Sequence, residues 1–449
     1  MGNNIGANSL KIKHELPPSL LGDAKEAQSI SAEIFLTYES VLKKDSVWRR
    51  ALTTGYQGRN IGIHIGYPEH VAEEIVPNIP INYNHAKSCS NWGCENKISG
   101  HNLLEFHQAN EVARAVKNVA PKAQIYSTPN YFPEAPNTAQ TPIYIGIPYL
   151  TNNDVNNYSN AKHDIDNYVY HNRVIEIAPA GEIYTWDNQN LYSQGLNVIT
   201  VGAIDPSTTN YLIHNNIDRP TISNITSSRI DKPEIANFTN MFSPEDPMVN
   251  YVGYGTYTTY PAVYWTHGAA ALTAGMVADL LQYKKFYQWH PEVVKALLIS
   301  ASSGKVNNAN TFLKGNQRVS NIAGHYYPYF TDLYKYNRSQ YWNGNNEDHF
   351  INEEIVLYEH HITSGRKYRI AIAWLSSGDY VRDFGIIPQD IDLEVCQDDR
   401  CYTSNSAKNP FEVVEFTAQT TGDLKVTIKR YNNEGGRVLL GYNLHEFVK

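Results

Sequence analysis

Four cysteines fall in two local pairs, Cys89 with Cys94 and Cys396 with Cys401, and their spacing is the plainest chemical signal in the chain. Four residues separate the members of each pair, a span that suits a hairpin or loop disulfide and equally suits two reduced thiols. A zinc centre would need both pairs to meet around one tetrahedral ion. Asp390 and Asp392 are hard oxygen donors of the kind calcium takes, although acidic residues at strand ends are ordinarily solvated. No other cofactor is expected.

Short apolar runs alternate with helical spacings between residues 60 and 305. Ile61–Ile65, Gln124–Tyr126, Ile143–Ile147, Val174–Ala178 and Val198–Gly202 read as strands. Leu103–Val119, His163–Tyr170, Gly268–Leu281 and Pro291–Ser300 read as helices. This alternation argues for an α/β fold, a parallel sheet flanked by helices. The pattern then changes to short alternating strands at Glu354–Leu357, Tyr368–Trp374, Ile391–Val395, Val413–Phe416, Leu424–Ile428 and Val438–Tyr442. Strands at regular spacing with turn residues between them predict a C-terminal β-sandwich. The expected units are an N-terminal extension at 1–55, with a helix at Ala24–Leu42, an α/β domain at 56–305 and the sandwich at 306–449. The Asn- and Gly-rich stretch 305–348 reads as linker and first sandwich edge. The cysteine pairs thus lie in different domains, which argues against zinc.

Hydrophobic residues make up 42% and charged residues 18%, which excludes a wholly disordered chain. Lys and Arg number 37 against 45 Asp and Glu, a net charge of −8, and no strong basic cluster stands out in the sequence. Nucleic acid is therefore not an expected partner. No apolar run reaches the ~18 residues of a membrane span. Met1–Leu21 lacks the apolar core of a secretory signal, and Gly6 stands where a myristoylation site takes Ser or Thr. The expectation is a soluble protein without a membrane partner, cytoplasmic or exported by a non-classical route.

Three segments carry a resemblance: Asn197–Asp205 (NVITVGAID), Trp289–Ala301 (WHPEVVKALLISA) and Val119–Tyr126 (VAPKAQIY). With Lys232–Ile235 (KPEI), they resemble segments of subtilisin-like serine peptidases, the subtilases, in that family's order along the chain. The resemblance covers about 60–305. It implies a subtilisin-like parallel sheet. The tail, with DIDLEV at Asp390–Val395 and NPFEVVEF at Asn409–Phe416, resembles the jelly-roll-like sandwich appended to many subtilases.

The resemblance also implies four catalytic roles: a nucleophilic Ser, a His base, an Asp that orients it and an oxyanion-stabilising Asn. The Ser frame G-T-S-x-A-A-P-x-V-A-G matches Trp265–Gly275 and places His267 at the nucleophile, where an imidazole cannot form the ester intermediate. The His frame H-G-T-x-V-A matches residues 108–113 and places Gln108 at the base, which takes no proton near neutral pH. His107 is adjacent, but neighbouring helical residues point about 100° apart. The Asp frame places Tyr67 after the strand Ile61–Ile65, and no Asp occurs between Asp45 and Asp154. The oxyanion frame A-G-N becomes Ala180-Gly181-Glu182, where a carboxylate would repel a developing oxyanion. The substrate-lining S-x-G is replaced at Ile147–Pro148.

All four roles change within recognisable frames. This predicts a pseudopeptidase that acts by binding or regulating a protein or peptide partner, with Tyr67, Gln108, His267 and Glu182 lining the site. Strand addition by an extended peptide would use backbone hydrogen bonds alone. One alternative is an active hydrolase with a rebuilt site, in which His107, Glu182 and His267 gather as an acid/base or metal set. The other is a serine peptidase with its nucleophile elsewhere, at Ser127, Ser302 or Ser303. No recognisable inhibitory propeptide is expected in 1–55.

Overall fold

β-Branched runs build a sheet of short strands: β1 (Gly62–Gly66), β2 (Gln124–Ser127), β3 (Ile143–Pro148), β4 (Ile175–Pro179) and β5 (Ile199–Ile204). A short β6 (Ile213–His214) pairs antiparallel to β5, and β7 (Ile235–Phe238) pairs parallel to it. The computed structural model describes residues 56–67, 109, 112–113, 115–117, 119–127, 141–150, 160–181, 190–204, 213–214, 232–238, 248–253, 256–261, 265–305, 326–328, 333–343, 349–381 and 387–448. The parallel order is β2-β1-β3-β4-β5. Two further antiparallel pairs, β8 (Met248–Gly253) with β9 (Thr256–Pro261) and β10 (Ser302–Lys305) with β11 (Tyr326–Pro328), form separate two-stranded sheets.

Alternate residues of a strand face opposite sides. Ile63, Ile65, Ile145, Ile147, Ile175 and Ile177 share one core with helix α1 (109–119), helix α3 (Trp265–Tyr283) and helix α4 (Pro291–Ala301). Helix α2 (Asn160–Asn172) serves the other face, where Ile165 and Val169 pack with Ala178 and Val198. The small residues of α3 let it lie close to α1. A Cβ at Gly275 would fall 2.7 Å from the Val119 Cβ.

Three of the four segments that carry the sequence resemblance, all but Val119–Tyr126, meet at one buried ion cluster. Lys295 of α4 and Lys232 each place Nζ 2.7 Å from Glu234 Oε1. Glu234 Oε2 accepts from the Thr200 amide at 2.9 Å, and both lysines donate to the Val198 carbonyl. Burial works to raise the Glu234 carboxyl, but the two ammonium groups outweigh it and hold it below its ordinary range. Lys232 is lowered to about 8, chiefly by burial.

Eight strands form the C-terminal sandwich: β12 (Asn337–Trp342), β13 (Glu354–Ile362), β14 (Lys367–Leu375), β15 (Gln389–Gln397), β16 (Arg400–Ser404), β17 (Phe411–Thr417), β18 (Gly422–Asn433) and β19 (Leu439–Phe447). They make two antiparallel four-stranded sheets, β12-β19-β14-β17 and β13-β18-β15-β16. Renumbered from the first sandwich strand, this is 1-8-3-6 over 2-7-4-5, a jelly roll. Alternation reads directly in β15, whose Ile391, Leu393 and Val395 enter the core beside Trp374 and Val426. The expected fold class, a helix-flanked parallel sheet followed by a jelly-roll-like sandwich, is the one observed.

The described residues bear on one cysteine pair and on the two aspartates. Cys396 and Cys401 are joined in a disulfide across the β15–β16 hairpin. Asp390 and Asp392 lie within β15, and among the described residues no group of three or more His, Cys, Asp or Glu is placed to hold a metal ion. Burial and neighbouring Asp390 raise the Asp392 carboxyl to about 6. Cys89, Cys94 and the helix expected at Ala24–Leu42 lie outside the described residues.

The sandwich docks on α4. Arg369 of β14 donates from Nη1 to the carbonyls of Ile299, Ser300 and Ser302, closing the C-terminus of α4, while Nε and Nη2 grip Glu415 at 2.9 and 2.6 Å. Asn197 and Ser376 exchange hydrogen bonds at 2.7 and 2.8 Å. Ala296 and Ile299 complete an apolar seam with Ala371, Phe411 and Val413.

Candidate functional site

In open sheets with the order 2-1-3-4-5, ligands bind beyond the carboxyl ends of the strands where the order reverses, here between β1 and β3. Tyr67 follows β1, Tyr149 follows β3, and His267 occupies the first turn of α3 above them. Tyr67 Oη and His267 Nδ1 are 2.6 Å apart. The Tyr67 and Tyr149 rings stack at 5.1 Å, and Tyr149 meets the imidazole edge-on at 4.4 Å. These three side chains are no more than 3% exposed.

Burial drives the His267 pKa down to about 3, so the ring is neutral at physiological pH. With its proton on Nε2, Nδ1 accepts from the Tyr67 hydroxyl; with the proton on Nδ1, the ring donates to the phenol oxygen. A neutral imidazole bonded to a phenol and enclosed by a second ring forms a hydrogen-bonded plug rather than an open nucleophile–base pair.

The surrounding backbone is tightly tied. Asn190 donates from Nδ2 to the Pro148 and Pro179 carbonyls at 3.0 Å each, and its Oδ1 accepts from the amides of Leu150 and Tyr192. One side chain thus staples the ends of β3 and β4. The Thr266 hydroxyl is engaged with Gly181, accepting from its amide at 3.2 Å and reaching its carbonyl at 3.3 Å.

Of the residues expected from sequence, the structure brings Tyr67 and His267 together. Gln108, His107 and Glu182 lie outside the described residues, next to the buried Ala109 and the Thr266-bound Gly181 respectively. Ser302 is buried and bonds back to the Leu298 carbonyl at the C-terminal end of α4, not at a helix start. Tyr149, Asn190 and Thr266 are additions that sequence reading did not single out. Tyr149 had one available signal: it follows the strand whose S-x-G lining is missing.

A second buried group lies on the opposite face of the sheet. Glu176 of β4 projects over Gly146 of β3, where any Cβ would collide with its carboxyl. The next strand carries His64 in register with Gly146. Burial raises Glu176 to about 8 and lowers His64 to about 3, so both are uncharged at neutral pH.

No family model and no curated protein matches the chain. Among solved structures, it is similar over 83% of its length to fervidolysin from Fervidobacterium pennivorans, a keratinolytic enzyme related to subtilisin, at 16% identity and a TM-score of 0.41. The chain spans 53% of that enzyme's length. MycP1 of the ESX-1 type VII secretion system is similar at 12% identity and a TM-score of 0.39, over 64% of this chain and 84% of that one. The A-subunit of the AB5 toxin from E. coli is similar at 12% identity and 0.38, over 65% and 97%.

Proposed function

We propose that this chain is a subtilisin-like pseudopeptidase that acts by binding a protein or peptide partner. The reading rests on the subtilase-like segments, the convergence of three of them on one buried cluster, and a helix-flanked parallel sheet followed by a jelly roll. The observation that carries the loss of chemistry is the buried Tyr67–His267 hydrogen bond of 2.6 Å, formed between the positions where the resemblance expects the orienting Asp and the nucleophilic Ser. Tyr149 packs against both rings. Binding then falls to surfaces other than this filled centre, with no cofactor required.

The test is a fluorophosphonate probe on the full chain, beside casein and peptide cleavage assays with and without calcium. The expected result is no labelled residue and no cleavage. A residue labelled and mapped by mass spectrometry overturns the proposal and names the nucleophile. Cleavage without labelling overturns it in favour of a rebuilt acid/base site.

A further inference from the structure

The opposite end of the sheet, where the strands begin, has a different character. Lys122 precedes β2, Arg59 precedes β1, and Lys284 and Lys285 directly follow α3. With Lys335, these five cations are exposed. They form one neighbourhood. The amides of Gln57 and Arg59 both donate to the side chain of Gln282, and the Lys122 amide donates to the Gln57 carbonyl. Tyr334, beside Lys335, stacks on Tyr56 and meets Tyr283 edge-on.

Aromatic rings are interleaved with these cations. Tyr283, Trp289, Tyr336 and Tyr341 are 44, 40, 50 and 37% exposed, large values for such residues. Tyr341 stacks on His290 at 3.9 Å, and Trp289 rests against Tyr144 at 4.6 Å. Lys284 lies over the Phe286 ring at 5.0 Å. Trp289 is held at φ +64°, a backbone region that bulky residues rarely adopt. That turn keeps the indole at the surface while Pro291 starts α4.

The contributing segments 56–61, 120–124, 280–290 and 333–343 contain no Asp or Glu, although acids outnumber bases in the whole chain, 45 to 37. Of the described acids beside these segments, Asp279 is buried and raised to about 9, Glu292 is bonded to His290, Glu359 is paired with Arg338, and Glu446 is paired with Arg366. Among the described residues, this end is therefore cationic on an anionic molecule. Protein interfaces favour Arg and are depleted in Lys. Four of the five exposed cations here are Lys, mixed with Trp and Tyr, the composition of a membrane–water interface.

We propose that this end is a peripheral docking surface for an anionic phospholipid bilayer. Lysines sit at the headgroups, and Trp289, Tyr283 and Tyr341 enter the interfacial layer. Such attachment needs no spanning helix. It is independent of the pseudopeptidase reading, since the Tyr67–His267 centre lies at the other end of the strands.

The test is flotation of the full chain with vesicles of phosphatidylcholine alone or mixed with phosphatidylserine, at low and high salt. The expected result is binding to the anionic vesicles only, weakened by salt. The double variant K284E/K285E, which alters exposed side chains, should reduce binding at least tenfold with an unchanged circular dichroism spectrum. W289A should reduce it at both salt concentrations. Equal partitioning to neutral vesicles overturns the proposal, as does undiminished binding by folded K284E/K285E. Retention of the chain by poly-glutamate but not by anionic vesicles overturns it in favour of an acidic protein partner.

Discussion

Glu176 sets a pH dependence that follows from its position alone. Neither carboxylate oxygen has a hydrogen-bond partner among the described residues, and burial raises its pKa to about 8 from 4.5. The folded chain therefore holds a proton that the unfolded chain releases above pH 4.5. Its contribution is full below pH 4.5 and is lost as pH rises through 8. The loss is on the order of 5 kcal/mol across that window. Glu176→Gln should flatten this part of the profile and be more stable than the parent at pH 8, read as urea midpoints from pH 5 to 9. An unchanged slope would show that Glu176 does not carry it. His64, His267 and His445 act in the opposite sense. Burial lowers each to about 3, so their contribution is present above pH 6.5 and is lost as pH falls toward 3.

At the scale of elements, the segments that made the fold legible from sequence are those that meet in the interior. NVITV supplies backbone acceptors and an amide, KPEI supplies Glu234 and Lys232, and PEVVKALL supplies Lys295. Their spacing along the chain is fixed because their side chains meet at one point. Glu234→Gln would leave two ammonium groups buried beside a neutral amide, a loss of about 3–5 kcal/mol. Chemical denaturation should show that drop without a change in the native circular dichroism spectrum. A loss under 1 kcal/mol would mean that water reaches the cluster.

Elements without such a signature were not legible. β12 reads NRSQYW and β16 reads RCYTS, and neither shows the apolar alternation that announces a strand. Both sit at a sheet edge, where pairing rather than burial holds them. Half of the plugged site was readable for a related reason. Tyr67 and His267 sit in frames whose flanking residues pack the core, so their positions could be counted. Tyr149 and Asn190 act through ring stacking and carbonyl acceptors that leave no pattern in the sequence.

At the scale of the molecule, the jelly roll is part of the α/β unit's interior. Removing it would strip Arg369 from the end of α4 and Ser376 from Asn197, and would expose Leu196, Ala296 and Ile299. A chain ending at residue 305 should therefore be insoluble or lack a cooperative thermal transition, measured by circular dichroism on refolded material. A soluble fragment with a sharp melt would show that the two parts fold separately.

Gly441 gives this docking a mechanical meaning. A Cβ there would collide with the backbone of Glu292 and Val293, so the first turn of α4 rides directly on β19 with no side-chain cushion between. Backbone on backbone leaves little slack for sliding. Load applied to the sandwich passes into α4, through Lys295 and Glu234, and on to the amide of Thr200 in β5. A tug on the tail is thus felt in β5, toward one side of the parallel sheet.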